Sequence, residues 1–426
     1  VRKGLFPPPR FGWRPISALA LTLAFAAAHA GAADWPQFRG PDGQGRAMDG
    51  DPPLRWDEGQ NIVWKAAVRG QGWSSPVIGG GQVWLTTADE GGHSLRAVCL
   101  DLASGELLHD VEVFRIVELP GKNEKNSYAS PTPVLEQGKL YVHYGSLGTA
   151  CLDAQRGEVL WRNQEIQVDH KEGPGSSPIL HGELLIVHFD GMDQQLVAAF
   201  DKRTGRIAWR APRSGARNPN PDFRKAYSTP LIVAHHGREE LLSVGADRVS
   251  AYDPATGREL WYVTFEGFSN VPRPVWERDR VYVCTGYMKP QLLAVELGSE
   301  GDVTRSHVAW RYERNVPANP SPLILDGLLY FVSDTGVATC LEAESGKLVW
   351  TKRWSGNFSA SPVAAAGRIY WFNEEGEARV IAAGRTYREL AHNRLRGRVL
   401  ASPAVVGRAL VVRTDGHVYR LEEGGR

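Results

Sequence analysis

The sequence predicts an all-β chain: an eight-bladed β-propeller of four-stranded blades, closed by an N-terminal strand that completes the last blade. Three observations carry that expectation. A small or polar residue, then Pro, then an apolar pair recurs at Pro76, Pro133, Pro178, Pro230, Pro274, Pro322, Pro362 and Pro403, at intervals of 40 to 57 residues. Between these anchors the phrase Asp-x-x-x-Gly-x-x-x-Trp returns, as "DAQRGEVLW" from Asp153, "DKRTGRIAW" from Asp201 and "DPATGRELW" from Asp253. The pieces left over at the two ends fit each other. The eighth copy stops at its third strand near Glu422, and "NIVWKAAV" (residues 61–68) reads as the missing fourth strand, with Trp64 in the repeated Trp position. Periods of 40–50 residues built from strands mean propeller blades.

One copy shows how each element arises. After Pro322 come "LIL", the turn "DG", "LLYFVS", the turn "DTG", "VATCLEA", "ESG" and "KLVWTK". These are four short runs of β-branched, aromatic and leucine residues separated by Gly- and Asp-containing turns. Pro opens the innermost strand, where a missing N–H costs little. The acid of the repeated phrase sits at the turn between the third and fourth strands, where its carboxylate can accept backbone N–H groups. The Gly supplies the positive φ that ends the turn. The Trp falls on the outermost strand, where it can reach the neighbouring blade, and burying its ring stabilises by roughly 2–3 kcal/mol. Trp64, Trp161, Trp209, Trp261, Trp310 and Trp350 occupy this slot. Two copies depart from the pattern: His109 stands in the first Trp position, and the seventh copy, around "AAGRTYREL", lacks the phrase. Both are expected to be poorly packed blades.

Composition narrows the function classes. The chain has 49 basic and 48 acidic side chains, a formal net charge of +1. That balance gives no global reason to expect a nucleic acid as partner. Arg2, Lys3, Arg10 and Arg14 precede the apolar run "ISALALTLAFAAA" and the small-residue "AHA". This pattern reads as a signal peptide over residues 1–30, with cleavage after Ala30 or Ala33. Residues 31–60 would be an N-terminal extension and 61–426 the propeller, soluble and periplasmic or secreted. No later run is long enough to be a membrane span, and with Cys99 the first cysteine, no lipid anchor is expected. Cys99, Cys151 and Cys340 occupy one repeat position that holds Ala199 and Ala251 in other copies. A slot alternating Cys with Ala is small and buried, so free thiols are expected.

The repeated phrase in an eight-bladed ring resembles the tryptophan-docking motif of the pyrroloquinoline-quinone (PQQ) propeller superfamily. That superfamily includes quinoprotein alcohol and glucose dehydrogenases and the propeller lipoprotein of the outer-membrane assembly machine. The resemblance covers residues 61–422, and the leading "DWPQFRGPDGQG" is similar to the start of exported PQQ-like repeat proteins. It implies the fold more than the activity. The chain has no adjacent cysteine pair of the kind that caps the quinone in alcohol-oxidising members, and no motif places their calcium ligands or catalytic Asp.

Function is therefore sought in the loops before each inner strand, which meet at one mouth of the channel. Lys125, Lys171, Arg224, Arg273, Arg314, Asn357 and Arg396 fall there. Brought onto one axis, they would form a basic funnel for an anionic ligand. The plainer reading is that polar loops carry such residues anyway. No catalytic residue or metal ligand set is read from the sequence. The expectation is an exported, non-catalytic scaffold for an envelope protein or a small anionic ligand. The alternatives are a PQQ-dependent alcohol or sugar dehydrogenase, with PQQ and a divalent cation as cofactors, and a carbohydrate-binding module.

Overall fold

Eight antiparallel four-stranded sheets follow one another along the chain. The computed structural model describes residues 1, 4, 34–215 and 218–425, and residues 32–426 form one unit. The expected export segment and its cleavage positions lie outside the described residues. Blade 1 consists of Val77–Gly79, Gln82–Ala88, Ser94–Asp101 and Leu107–Arg115, paired in that order. Blades 2 to 7 span residues 134–163, 179–212, 231–264, 275–312, 323–353 and 363–394. Blade 8 takes Ala404–Val406, Ala409–Arg413 and His417–Leu421 from the C-terminal end and Ile62–Ala67 from the N-terminal side, with Lys65 opposite Tyr419. Joining the ends in one sheet leaves no gap in the ring. The one described helix is a 3₁₀ turn, Pro221–Phe223, and no described helix is long and apolar enough to cross a membrane.

The repeated phrase makes a turn and an inter-blade contact. Asp201 Oδ1 accepts from the backbone N of Arg203 (3.1 Å) and Thr204 (2.8 Å), and from the Thr204 hydroxyl (2.9 Å). These bonds, chiefly the hydroxyl's, hold the carboxyl below its ordinary range. The Gly that follows lies under the Trp ring of the preceding blade: Gly105 under Trp64, Gly257 under Trp209, Gly346 under Trp310. Trp161 Nε1 donates to Lys202 O at 3.0 Å and Trp350 Nε1 to Gly384 O at 3.1 Å. Trp261 differs, donating to Glu240 Oε2 (2.8 Å) within its own blade. There the longer loop of blade 5 adds Gly301–Asp302 as a parallel strand beside Trp261 and Tyr262. All four cysteines are buried and free.

The two irregular copies are well packed, contrary to expectation. His109 stacks on Trp84 (5.6 Å, 13°), lies over Gly157 and sets Nε2 3.1 Å from Gln155 O, so a flat imidazole takes the indole's place. In blade 7 the slot holds Ala391, paired with Val380 as Trp350 is with Cys340. The third and fourth strands of blade 8 come from opposite ends of the repeat array, so no hairpin glycine waits there for a Trp. Trp56 of the N-terminal extension packs nearby instead, stacked on Tyr370 (6.3 Å) and Phe372 (5.9 Å). Asn393 fixes it, accepting from Trp56 N and donating to Leu54 O.

A circle of hydrogen bonds joins the inner strands at their starts. The residue before each anchoring Pro offers a hydroxyl to the backbone N of its counterpart one blade earlier. Ser75 N donates to Thr132 Oγ1 (2.9 Å), Thr132 N to Ser177 Oγ (2.9 Å) and Ser177 N to Thr229 Oγ1 (3.0 Å). Arg273 N, Ser321 N, Ser361 N and Ser402 N continue to Ser321, Ser361, Ser402 and Ser75. The link from Thr229 to residue 273 is missing, because Arg273 has no hydroxyl.

The N-terminal extension crosses the opposite end of the channel. Trp35 bridges Ile78 of blade 1, Pro36 O accepts from Leu135 N of blade 2, and Gln44 Oε1 accepts from Trp276 N of blade 5. Arg46–Ala47 pairs in parallel with the inner strand of blade 7, and Asp51 N reaches Gly407 O of blade 8. Arg273 turns its side chain toward this strap, Nη1 donating to Phe38 O at 2.7 Å. Gly43 is required where it stands, with φ +69° and the Arg273 guanidinium against its Cα.

Blades 3 and 4 share a buried polar cluster. Ser243 Oγ, His188 and Asp190 are aligned at 3.2 and 3.1 Å, the spacing of a nucleophilic triad. All three are sealed from solvent, and Arg213 bonds each of them. This arrangement is structural.

Two predictions follow from this packing. Gly346 and Gly327 are both left-handed (φ +67° and +71°), but a Cβ would meet Trp310 Cδ2 at 2.7 Å at the first and open space at the second. Gly327→Ala should cost about 1 kcal/mol from backbone strain, and Gly346→Ala a further ~1–3 kcal/mol from displacing the ring. Equal losses in urea unfolding would contradict the Trp-over-Gly contact. The second concerns acid. Burial drives His143 down to about 3 and His170 to about 4. On unfolding each takes up a proton between that value and its ordinary one near 6.5, so stability falls as pH drops through this window. Between pH 6.5 and 5 the loss is about 1.5 kcal/mol per histidine. A His143→Gln/His170→Gln variant should show a correspondingly flatter pH dependence of unfolding free energy.

Candidate functional site

The inter-blade loops surround an open funnel of about 810 Å³ over the hydroxyl circle. Ser75, Thr132, Ser177, Thr229, Ser321, Ser361 and Ser402 form its floor, with Phe38 of the strap beneath. The floor offers polar surface without charge, since each of these hydroxyls already accepts from a neighbouring blade.

One wall is aromatic. Phe223 comes from the 3₁₀ turn, which Asn220 caps by accepting from Asp222 N, and it stacks on Phe268 with centroids 4.5 Å apart. Tyr287 meets Phe268 edge-on at 5.9 Å. Phe223 is 37% exposed, Tyr287 57% and Met288 69%, so this wall presents apolar surface to the funnel. Trp73 contributes on blade 1, its Nε1 held by Lys125 O at 3.0 Å.

The cations near the mouth are paired. Lys125 Nζ lies 2.6 Å from Glu374 Oε1, and Lys171 Nζ lies 2.6 Å from Asp222 Oδ1. Lys225, over the Phe268 ring, donates to Asp222 O at 2.7 Å and faces Asp222 and Glu172 at 3.5 and 4.0 Å. Lys171 is held above its ordinary range by its bond to Asp222, and Asp222 below its own by the same bond.

Of the seven residues the sequence placed at this mouth, Lys125 lines the funnel. Lys171 touches it through Asp222. Arg224 is spent on its own loop, donating to Asn218 O (2.6 Å) and Pro219 O (3.1 Å). Arg273 is buried on the strap side, and desolvation lowers its guanidinium to about 10. Arg314, Asn357 and Arg396 are exposed and outside the lining, with Asn357 N bonded to Glu375 and Arg396 N to Glu58. The hydroxyl before each Pro was visible in the sequence as a repeated letter without a role. The aromatic wall had no sequence signal, because its rings come from three separate loops.

A cation-bound quinone makes two demands of these donors. It needs free cations for its carboxylates and several convergent ligands for the metal. Here the lysines are engaged by Glu172, Asp222 and Glu374, and among the described residues no three His, Cys, Asp or Glu side chains converge in the funnel. The residues present do not fit that group.

Comparison with known proteins agrees with the ring. The chain is 23% identical over 317 residues to the outer membrane protein assembly factor BamB of Shewanella oneidensis, covering 69% of this chain and 74% of that one. BamB from Moraxella catarrhalis superposes with a TM-score of 0.58 at 15% identity, over 85% of this chain and 99% of that structure. Quinohemoprotein alcohol dehydrogenase from Comamonas testosteroni gives 0.67 at 12% identity, over 92% and 81%. At these identities the structures speak for the fold alone. The family described as outer membrane protein assembly factor BamB, of the PQQ-like repeat type, matches residues 54–162, 193–325 and 303–426, and the chain belongs to that propeller family.

Proposed function

We propose that this propeller is a non-catalytic scaffold of the cell envelope, periplasmic or secreted, that binds an extended polypeptide segment of a partner in its funnel. The observation that carries the reading is the exposed Phe223–Phe268–Tyr287 wall beside cations that already have carboxylate partners. A small anion would have to displace Glu374 or Asp222 from a lysine. A segment with an aromatic or aliphatic side chain gains apolar burial on the wall without displacing any of these pairs. The names of the curated relatives support an envelope role. The same aromatic surface also suits the apolar face of a sugar ring, which is the second reading.

The test is selection from a random-peptide display library and from a glycan array, with wild type compared to Phe223→Ser/Tyr287→Ser. Both side chains are partly exposed, so the fold should persist, as circular dichroism would verify. The expected result is a family of aromatic-containing peptides whose affinity falls about tenfold or more in the variant, as for interface anchors, and changes little with salt. Glycans alone, lost in the variant, would establish the second reading. Acidic peptides bound equally by the variant, and released by salt, would replace both with the anionic-ligand site on Lys125 and Lys171.

A further inference from the structure

On the strap side of the ring, away from the funnel, two hairpins bring two histidines and a carboxylate together. We infer that His235, His236 and Asp279 form a binding site for a divalent transition-metal ion that clips blade 4 to blade 5.

All eight blades join their first two strands by a two-residue turn. In blade 4 the turn is His236-Gly237, following a first strand that ends at His235. Successive side chains on a strand point to opposite faces. The left-handed φ of His236 (+46°) breaks that alternation, and the rings meet at 4.1 Å, edge to face. The next blade's turn is Arg278-Asp279, with Asp279 in a position that is Gly in blades 1, 2, 4, 6 and 7. Its carboxylate lies 3.1 Å from His235 Nε2.

One ligand atom from each of the three residues lies within 4.8 Å of the others. Metal bonds of about 2.0–2.1 Å to imidazole or carboxylate put neighbouring ligands of a tetrahedral ion about 3.3 Å apart. The His235–Asp279 edge already has that length. The His236 ring is exposed and can close the remainder by a rotamer change. His235 is held from behind by Gly298, where a Cβ would fall 2.8 Å from its Cε1. The site opens onto a cavity of about 520 Å³, also lined by Glu277, Glu296 and Glu344, which leaves room for water on the metal. Arg280 is drawn aside by Glu296 (3.3 Å) and Glu344 O (2.7 Å). Two imidazoles and one carboxylate select zinc, nickel or copper over calcium or magnesium.

The place has a structural logic. Blade 4 is the blade whose Trp261 bonds inward to Glu240. A metal between its first hairpin and that of blade 5 would tie the two blades at the inner edge, as Gly301–Asp302 does at the outer.

The experiment is calorimetric titration of untagged, chelator-stripped protein with Zn²⁺, Ni²⁺ and Ca²⁺, with thermal unfolding measured in parallel. The proposal expects one equivalent of Zn²⁺ at micromolar or tighter affinity, no Ca²⁺ binding there, and a Zn²⁺-dependent rise in Tm. Asp279→Asn and His236→Ala, both exposed turn positions, should weaken Zn²⁺ by at least about tenfold and abolish the Tm shift. His93→Ala, an exposed histidine elsewhere, should change neither. Absence of saturable Zn²⁺ binding in wild type, or binding that survives both Asp279→Asn and His236→Ala, would overturn the site and leave His235–Asp279 as a contact between two hairpins.

Discussion

The ring depends on one repeated hydrogen bond, from a backbone N–H of one blade to the hydroxyl before the anchoring proline of the next. Each link is ordinary, about 0.5–1.5 kcal/mol net. Its importance is geometric. The proline after each hydroxyl fixes φ at the entry to the inner strand, so the hydroxyl arrives at a set height and radius. The seven links hold the inner strands in a circle at the mouth. Trp-over-Gly contacts hold the outer strands, a few kcal/mol each by buried area. Between them the sheets have little freedom to splay, and the loops above stand on a rigid floor.

Arg273 is the exception. It replaces a hydroxyl, omits one link and becomes a buried cation. Its guanidinium is compensated by Pro230 O and Phe38 O, one on the neighbouring blade and one on the strap. The lost link is thereby exchanged for an anchor of the N-terminal extension. The extension in turn bridges blades 1, 2, 5, 7 and 8 across the channel. The two ends of the channel therefore differ in kind: one is closed by the chain itself, and the other is open, aromatic and internally charge-balanced.

How much of this was legible follows from what repeats. The blade boundaries and the closing strand depend on patterns that recur in the chain, and a recurrent pattern can be read by comparing copies. Asp201, Gly205 and Trp209 were interpretable because Asp153, Gly157 and Trp161 say the same thing. The strap was not interpretable: Trp35 and Trp56 belong to no repeated phrase, and the partners of Trp56, Tyr370, Phe372 and Asn393, lie far along the chain. Trp56 is legible in retrospect from Ala391, since a blade lacking its Trp beside a blade lacking its hairpin leaves a wedge to be filled. His109 misled because a histidine at an indole position looks like a defect, whereas its flat ring packs on Gly157 and finds its carbonyl. The loop cations misled differently. Order along the chain brings a residue to the mouth, but it does not say that Glu374, two hundred and more residues away, will meet Lys125 there.

In a ring of repeats, a position free to follow the pattern and not following it is informative. Many departures here lie between blades 3 and 5. The connection over residues 213–230 is long and carries Phe223; Arg273 breaks the hydroxyl circle; Trp261 turns inward; Gly301–Asp302 adds an edge strand; Asp279 replaces a hairpin glycine. Some give up a contact that the other blades keep, as Arg273 and Trp261 do, and others add one, as Gly301–Asp302 does. Some of these losses are repaid locally, as Trp261's is by Glu240. Phe223, Tyr287 and Met288 are not: they leave apolar surface in water, gathered together on the lining of the funnel. Stability alone gives no reason to keep them exposed, and that is the physical ground for looking to this side of the ring for what the protein holds.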